Sequence, residues 1–339
     1  MALKPPVEVP QGAIRLNTDS QKLEFFAQDQ WWEMATDAVN LDGNSRGLFT
    51  GGYRLSPNAT RSDNTIQYVT IASTGNSVDF GDLTTDRSAT GNFGSATRGV
   101  NLGGYVAPTD INTIDYVTIM STGNTVDFGD TTVIVRYPCS VNNATRGVIT
   151  GGISTPTVGI NVMAYNTIAT TGNSQDFGDL TKATYSQRNG MSSSTRGVLP
   201  YGLSGTNNID YITFSTVGNA INFGDAAVGT SAAYGHGQMS TGTRGVFNGG
   251  DSQNTIQYIT ISTQGNSVEF GDTTANQGGC AALSSTSRAI IAIGNPASPY
   301  NNNTLDYITM TSAGNAVDFG DLVTVAGYSG ALSNAHGGL

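Results

Sequence analysis

The sequence predicts an all-β fold in which six similar blades close into a ring, a six-bladed β-propeller. The first observation is a phrase of the form Asn-Thr-Ile-Asp-Tyr-Val-Thr-Ile, followed by a Gly-Asn turn and Val-Asp-Phe-Gly-Asp, which occurs six times with small variations. Its tyrosines are spaced by 46 to 49 residues, a period typical of repeat architectures. The second observation is that every copy has room for four short strands, the number in a propeller blade. The repeat tyrosines are Tyr68, Tyr116, Tyr165, Tyr211, Tyr258 and Tyr307.

Each repeat predicts four strands, which we name a to d in chain order. Strand b is Arg-Gly-hydrophobic ending in Gly-Gly, as in 46–52, strand c is the tyrosine phrase and strand d is the Phe-Gly-Asp phrase. β-branched and aromatic residues fill strands c and d, and the Gly-Asn pair supplies the hairpin turn between them. Strand a consists of small residues, which suit the crowded centre of a ring. Strand c is apolar on both faces, which indicates a sheet covered on both sides. Examples of strand a are 190–194, 238–242 and 281–285.

The two ends of the repeat region predict that the ring is closed. The first copy begins at strand b, whereas the last copy ends at strand d and is followed by 328–333, which has the composition of a strand a. If 328–333 pairs with strand b of the first copy, around 47–50, every blade has four strands. A linear β-solenoid is the alternative with this period, but the two unmatched ends favour the closed ring.

The repeats resemble kelch repeats over about residues 45–339. The resemblance lies in a strand b that ends in Gly-Gly, an aromatic residue in strand c, and a second aromatic residue in strand d; Tyr68, for example, lies 16 residues after Gly52. The sequence departs from kelch repeats in using the Phe of Phe-Gly-Asp where they usually carry Trp. The resemblance implies a kelch-like propeller closed by a C-terminal innermost strand. It implies no activity, because one fold serves unrelated functions.

Residues 1–41 lie outside the repeat and are predicted to form a short β segment that precedes the propeller of 42–339. Segments 12–19, 22–26 and 30–34 read as three short strands. Their sequence resembles, over about 25 residues, a module of bacteriophage tail-fibre and other virion proteins. The resemblance lies in Gly-Ala-Ile-Arg-Leu-Asn-Thr-Asp, followed by Lys-Leu-Glu and Trp. The resemblance implies a docking segment. Its anchors would be Phe25, Trp31 and Trp32, because Trp is enriched at interfaces; alternatively, the tryptophans only cover one end of the propeller.

Composition excludes several classes of function. Only 12% of the residues are charged, which is unusual for a cytosolic enzyme and common in extracellular and particle-borne β proteins. The net charge is −10 and no basic stripe exists, so we expect no nucleic-acid partner. No apolar run reaches the roughly 18 residues that span a bilayer, so we expect no membrane insertion. The N-terminus lacks a signal-sequence pattern, so export by a cleaved signal is not expected.

No catalytic constellation stands out, and the sequence predicts no enzyme, no cofactor and no metal site. The only histidines are His236 and His336, too few for a three-histidine zinc site. Glycosidases need two carboxylates at a defined separation, but most acidic residues here are repeat positions. Cys139 and Cys280 occupy repeats three and six, on opposite sides of a six-membered ring, so they are predicted to be two separate thiols.

The repeated charged residues are predicted to be structural. The Asp that follows Phe-Gly is expected to accept hydrogen bonds from local backbone N–H groups. The Arg at the start of strand b is expected to clamp a carbonyl group or an acid of the neighbouring blade. An anion-binding ring of six arginines is the alternative.

Loop variability predicts that the two faces of the ring differ. The a–b and c–d turns share one face, here called the constant face, and are nearly identical in every copy. The b–c and d–a connections share the other, here called the variable face, and carry Tyr and Arg, which are common in recognition surfaces; alternatively, these loops drift because nothing constrains them. Arg87 and His236 also lie in these connections. The predicted binding residues are Tyr53, Tyr105, Arg136, Tyr137, Tyr185, Arg188 and Tyr234.

These features predict a non-enzymatic structural protein of a bacteriophage virion, associated with the tail or tail fibre. It would be made in the host cytoplasm and would dock by its N-terminal segment onto other virion proteins, in several copies within a symmetric assembly. Its variable face would bind a host surface glycan or receptor, or another virion protein. One alternative is a virion enzyme that degrades host polysaccharide. Another is a cellular kelch-type adaptor, which leaves the virion-like sequence of the N-terminal segment unexplained.

Overall fold

A computed structural model confirms the all-β fold. It describes residues 10–17, 22–28, 30–33, 45–56, 59–154, 157–184, 190–201, 207–227, 235–248, 253–294, 302–324 and 327–339. The chain divides into two compact units, Met1–Asn44 and Ser45–Leu339. Within the described residues the regular structure is β, and no helix there is long and apolar enough to cross a bilayer.

The N-terminal unit contains a three-stranded antiparallel meander, as the sequence predicts. Its strands are β1 (Ile14–Asn17), β2 (Lys22–Ala27) and β3 (Gln30–Glu33), in the order β1-β2-β3. The register places Phe25 opposite Trp32. The half-buried ring of Trp31 meets Phe26 edge-on, with ring centroids 5.3 Å apart, and the guanidinium carbon of Arg15 lies 4.0 Å from the Trp31 ring centroid.

The larger unit begins with three blades whose strands follow the predicted order. Blade 1 contributes β4 (Arg46–Ser56), β5 (Ala59–Thr70) and β6 (Val78–Arg87). Blade 2 contains β7 (Gly91–Gly94), β8 (Arg98–Leu102), the small hairpin β9 (Tyr105–Val106) and β10 (Thr109–Asp110), then β11 (Thr113–Thr118) and β12 (Val126–Asp130). Blade 3 contains β13 (Cys139–Asn142), β14 (Arg146–Thr150), the short β15 (Ile153–Ser154), β16 (Val158–Thr167) and β17 (Gln175–Thr184).

Three further blades and a closing strand complete the ring. Blade 4 contains β18 (Met191–Ser192), β19 (Arg196–Pro200), β20 (Asn208–Thr213) and β21 (Ile221–Asp225). Blade 5 contains β22 (Gly235–Gly237), β23 (Arg244–Asn248), β24 (Thr255–Thr260) and β25 (Val268–Asp272). Blade 6 contains β26 (Cys280–Ser284), β27 (Arg288–Ala292), β28 (Thr304–Thr309) and β29 (Val317–Asp321), and β30 (Gly330–Ser333) follows.

The last strand closes the ring as predicted. β30 pairs antiparallel with β4, so that Gly330 lies opposite Thr50 and Ser333 lies opposite Gly47. The sheet order β30-β4-β5-β6 then gives blade 1 the same four-stranded arrangement as blade 4, whose order is β18-β19-β20-β21. The first blade is therefore assembled from the two ends of the propeller sequence.

The innermost strands approach one another so closely that side chains are excluded at some positions. A Cβ atom added to Gly190 would overlap the carbonyl oxygen of Ser140 in blade 3, and one added to Gly237 would overlap that of Ala282 in blade 6. Blade 5 departs from the predicted pattern. Its β22 pairs in parallel with β26 of blade 6, and the strand a predicted at 238–242 is reduced to a bridge between Ser240 and Gly245.

Identical seams join neighbouring blades. The backbone N–H of Gly123, in the c–d turn of blade 2, donates to the carbonyl oxygen of Phe80 in blade 1 at 2.8 Å. The backbone N–H of Asp82 donates in return to the side-chain oxygen of Asn124 at 3.0 Å. We predicted that the Asp carboxylate would bind backbone here; in the structure the Asp backbone and the Asn side chain make the bond. The other seams repeat it as Asp130–Asn173, Asp179–Asn219, Asp225–Asn266, Asp272–Asn315 and Asp321–Asn76.

The repeated arginines clamp neighbouring blades, as predicted. Arg98 donates from Nη1 to the carbonyl oxygen of Ile168 in blade 3 at 2.9 Å, and its guanidinium carbon lies 4.3 Å from the ring centroid of Tyr116. The Tyr116 ring in turn meets Phe128 edge-on, with centroids 5.9 Å apart. Because each Nη1 is engaged by an interblade carbonyl, the geometry favours the clamp over an anion-binding ring. The other clamps are Arg46–Ile119, Arg146–Phe214, Arg196–Ile261, Arg244–Met310 and Arg288–Ile71.

The two cysteines are separate thiols, as predicted. Cys139 lies in β13 and Cys280 in β26, both buried, and neither forms a disulfide bond. Burial raises the pKa of the Cys139 thiol to about 12. The reactive thiolate is therefore scarce at neutral pH, and Cys139 acts as a small buried side chain.

A short tail after β30 crosses the end of the axis on the constant face. Within it, His336 is buried, and its Nε2 lies 3.3 Å from the carbonyl oxygen of Gly94 in blade 2. The backbone N–H of Gly337 donates to the carbonyl oxygen of Ser240 in blade 5 at 2.8 Å. The tail therefore connects blades that are distant around the ring.

Replacing His336 should weaken the pH dependence of stability. Burial lowers the pKa of His336 from its ordinary 6.5 to about 4, an effect that the bond to the Gly94 carbonyl opposes. Between these two pH values the unfolded chain binds more protons than the folded chain, so this residue's contribution destabilises the fold as pH falls. We expect the loss of unfolding free energy between pH 7 and pH 4.5 to be about 2 kcal/mol smaller in His336→Gln than in the parent.

Urea unfolding of both proteins at the two pH values measures this difference. Subtracting the variant's pH dependence from the parent's removes the contribution of the carboxyl groups, which both proteins share. Equal pH dependence in the two proteins would contradict a buried neutral His336.

Candidate functional site

Four of the seven predicted binding residues lie in the described part of the chain, in blades 1 to 3. Tyr53 lies near the middle of β4, Tyr105 begins β9, and Arg136 and Tyr137 directly precede Pro138 and β13. All four are half-buried, so part of each side chain reaches solvent. The other three, Tyr185, Arg188 and Tyr234, lie outside the described residues.

Tyr53 and Tyr105 occupy equivalent positions on adjacent blades. Each follows the Gly-Gly pair of strand b and is fixed through its backbone to the connection that leads into strand a of its own blade. Tyr53 donates its N–H to the carbonyl oxygen of Gly327 at 2.6 Å, and Tyr105 donates its N–H to that of Ser88 at 2.8 Å. These variable segments therefore begin from a rigid base, an arrangement typical of recognition loops.

Arg136 links blade 3 to the β9–β10 hairpin of blade 2. Its Nη1 lies 3.3 Å from Oδ1 of Asp110, and its guanidinium carbon lies 5.1 Å from the ring centroid of Tyr105. The Asp110 side chain is buried and that of Arg136 is 22% exposed, so the ion pair is only partly screened by water. An anionic ligand at Arg136 would have to compete with Asp110.

Tyr137 contacts Tyr328, a residue that was not among the predicted binding residues. Their rings meet edge-to-face, with centroids 5.6 Å apart and an interplanar angle of 69°. Both residues have left-handed backbones, with φ of 56° and 54°, and Ala89 and Gly279 have φ of 57° and 58°. All four lie in the connections that lead into innermost strands, those of blades 3, 1, 2 and 6.

These four residues are hydrogen-bonded in series on the variable face. Tyr137 donates its N–H to the carbonyl oxygen of Ala89 at 2.9 Å, Ala89 donates to that of Tyr328 at 2.9 Å, and Tyr328 donates to that of Gly279 at 2.8 Å. We call Gly279, Tyr328, Ala89 and Tyr137 the mouth arc. We missed Tyr328 because 328–333 was interpreted only as the closing strand. The sequence did offer an indication, because Tyr328 lies two residues before an innermost strand, as Tyr137 does.

Arg87 was predicted to lie in a variable loop, and this prediction is wrong. β6 continues to Arg87, whose side chain is fully buried between blades 1 and 2. Its Nη2 forms an ion pair with Asp115 at 2.5 Å, and its Nη1 donates to the carbonyl oxygen of Thr113 at 3.0 Å. Burial lowers the pKa of Arg87, and Asp115 opposes this shift. Arg87 therefore supports the seam between two blades.

Asp115 belongs to a buried polar position in strand c that we did not anticipate. The residue before the repeat tyrosine is polar and buried in five of the six blades. In blade 3 it is Ala164, and the buried Asn166 directly after Tyr165 accepts a hydrogen bond from Ser174 instead. In blade 6, the Thr274 hydroxyl donates to Asp306 at 2.8 Å across the seam from blade 5, and burial raises the pKa of Asp306. The five residues are Gln67, Asp115, Asp210, Gln257 and Asp306.

Other candidate sites are limited. In the described ranges, no group of three or more His, Cys, Asp or Glu side chains is placed to hold a metal ion. Shallow clefts beside the c–d turns recur from blade to blade; the one in blade 4 is lined by Tyr211, Thr216 and Asn219 among others. Because equivalent clefts occur in blades 2, 3 and 5, they follow from the repeat itself.

Comparison with protein-family models gives no match for this chain, and comparison with curated proteins gives none either. The resemblances to kelch repeats and to a virion module therefore rest on the residues quoted above. The six-bladed fold rests on the strand order and register.

Proposed function

We propose that this protein is a non-enzymatic structural component of a bacteriophage virion, associated with the tail or tail fibre. The N-terminal meander docks onto other virion proteins, and the propeller displays its variable face to a host glycan or receptor. Several copies act in a symmetric particle, after synthesis in the host cytoplasm. The observation that carries the proposal is a chain made of a rigid ring and a separate small meander whose wording resembles a virion module.

The meander has the properties of a docking element. A three-stranded sheet of this size buries too little apolar surface to be strongly stable by itself, so it gains stability from a partner. Ile14 is 63% exposed, and the ring of Trp31 is half-buried beneath Arg15. Arg15 is held by Glu24, with Nε and Oε2 2.8 Å apart. Trp and Arg are the side chains that most often dominate binding energy at interfaces.

The ring has the properties of a display scaffold. Its seams, arginine clamps and closing strand hold every blade, so the loops of the variable face project from fixed positions. Only 12% of the chain is charged, so a particle surface made of it would present mainly hydroxyl, amide and aromatic groups. These groups suit recognition of a polar, uncharged surface.

Removal of residues 1–41 should separate docking from folding. The truncated protein, 42–339, should unfold within a few degrees of the full chain because the seams and the closure lie entirely in the retained part. It should fail to enter particles when supplied to assemblies that lack the protein. Trp31→Ala in the full chain should reduce incorporation because each buried large aromatic side chain contributes about 1.5–3 kcal/mol.

Val317→Ala, an exposed change on the ring, is the control for incorporation and should have no effect. Normal incorporation of the truncated protein would assign docking to another surface. Release of oligosaccharide from host envelope glycans incubated with the purified protein would overturn the non-enzymatic assignment.

A further inference from the structure

We infer that the mouth arc binds a neutral sugar residue, with one of the Tyr137 and Tyr328 rings stacking on the flat apolar face of the sugar and the other packing against its edge. This inference rests on the proposed function, in which the variable face recognises a partner, and it names the chemical class of that partner. It adds Tyr328 to the binding residues and changes the expected role of Arg136.

The backbone of the arc disfavours side chains, yet two of its four positions carry tyrosine. A left-handed backbone is unfavourable for a non-glycine residue because its Cβ atom crowds the following carbonyl oxygen. Gly279 meets the same requirement in blade 6, with φ of 58°, at no such cost. Folding therefore does not require tyrosine at 137 or 328. Retained backbone strain of this kind is found at ligand-binding sites, where the side chain itself is needed.

The two rings are held in place before any ligand arrives. They make an edge-to-face contact with each other, and the N–H and carbonyl groups of Ala89 fix the backbones of both. A Cβ atom added to Gly279 would lie 2.7 Å from Cδ1 of Tyr328, so glycine at 279 leaves the space that this ring occupies. Partly buried rings that already pack against each other lose little entropy when a ligand stacks on them.

The charges beside the arc favour a neutral ligand. Arg136, adjacent to Tyr137, is paired with Asp110, and the four residues of the arc are uncharged. The chain carries a net charge of −10, which repels polyanions at long range. A neutral sugar can contact the exposed part of Arg136 and leave the ion pair intact, whereas a carboxylate or sulfate at Arg136 would have to compete with Asp110.

The test uses the full chain and an array of immobilised oligosaccharides. The neutral probes are built from glucose, galactose, mannose and N-acetylglucosamine, and the acidic probes carry sialic or uronic acids. We expect binding to at least one neutral probe, with an affinity that changes by less than about twofold between about 50 and 300 mM salt because few charges are neutralised. Tyr137→Gly and Tyr328→Gly should each weaken that binding about tenfold or more, since an aromatic contact contributes of the order of 1 kcal/mol or more.

The glycine variants are chosen because they remove the ring and relieve the left-handed backbone, so they should fold. Val317→Ala, an exposed change in strand d of blade 6 outside the mouth arc, is the control and should bind as the parent does. Tyr137→Phe should also bind, because the stacking surface remains.

Four results would overturn the inference. These are salt-sensitive binding to acidic probes only, unchanged binding in both glycine variants, no binding to any probe, and a block of particle assembly by the same variants. The last result would assign the arc to a contact with another virion protein. The truncation at residue 41 tests docking separately, so failure of one experiment leaves the other interpretable.

Discussion

Deletion of residues 326–339 should abolish most of the stability of the propeller. The deletion removes β30, whose Leu332 is buried against Leu48 and Ile66 of blade 1 and Val117 of blade 2. It also leaves one edge of β4 with unpaired backbone groups, a state that favours aggregation. We expect a loss of more than about 5 kcal/mol, beyond what a single substitution ordinarily costs. Thermal unfolding followed by circular dichroism measures it.

Deletion of 335–339 alone is the control for this experiment. It removes the tail that crosses the axis, including His336, but leaves β30 paired with β4. The melting temperature should fall much less than in the longer deletion. A near-normal melting temperature after removal of 326–339 would be incompatible with a ring closed by β30.

Gly224→Ala should break one seam and lower stability strongly. Gly224 lies in strand d of blade 4 with φ of 158°, and an added Cβ atom would lie 2.5 Å from the carbonyl carbon of Gly265 in blade 5. Gly265 is also the residue whose N–H donates to the Phe223 carbonyl at 2.9 Å. The blades would have to separate locally. Overpacking of this kind costs about 1–3 kcal/mol in addition to the backbone strain.

Gly265→Ala is the matched control on the other side of the same seam. Its φ is 153°, so alanine is strained there by a similar amount, about 1–3 kcal/mol, but its added Cβ atom would meet no atom within 4 Å. Urea unfolding should therefore find Gly224→Ala less stable than Gly265→Ala by about 2 kcal/mol. Equal effects would mean that backbone strain alone makes these positions glycine.

Most of the fold could be predicted from the sequence because the repeats give the number of blades and the order of strands within each blade. The spacing of the tyrosines set the number of blades, and the unmatched segments at the two ends of the repeat region predicted the pairing of β30 with β4. The role of the repeated arginines was predicted in the same way, since an arginine that occurs once in every blade fits a contact that also occurs once in every blade, the seam to the next blade.

The partners across the seams could not be predicted, because they depend on how two blades are juxtaposed. Asn124 was interpreted only as a turn residue, although its side chain also binds the preceding blade. Asp115 was overlooked within an apparently apolar strand. Asn124 fits a hairpin turn and Asp115 fits a strand of mixed composition, so nothing in the local sequence indicates that either side chain also binds a neighbouring blade.

The variable face shows the same limit for the candidate site. Arg87 and Arg136 look alike in the sequence, since both follow a strand d and precede a strand a, although Arg87 lies two residues before Ala89 and Arg136 directly before Tyr137. One extra length of strand in β6 buries Arg87 at a seam, whereas Arg136 remains at the surface beside Asp110. Tyr328 was assigned to closure and therefore excluded from recognition, although its ring contacts Tyr137.

The pairing of β30 with β4 has a mechanical consequence. β4 is hydrogen-bonded to β30 on one edge and to β5 on the other, and it is the strand that directly follows the N-terminal unit. A pulling force transmitted through a tethered N-terminus would therefore enter the ring at an interior strand and would have to shear two ladders at once. Had the ring closed by an outer strand, the same force would peel one ladder bond by bond. A chain held at its N-terminus is thereby joined to its propeller through a strand that is hydrogen-bonded on both edges.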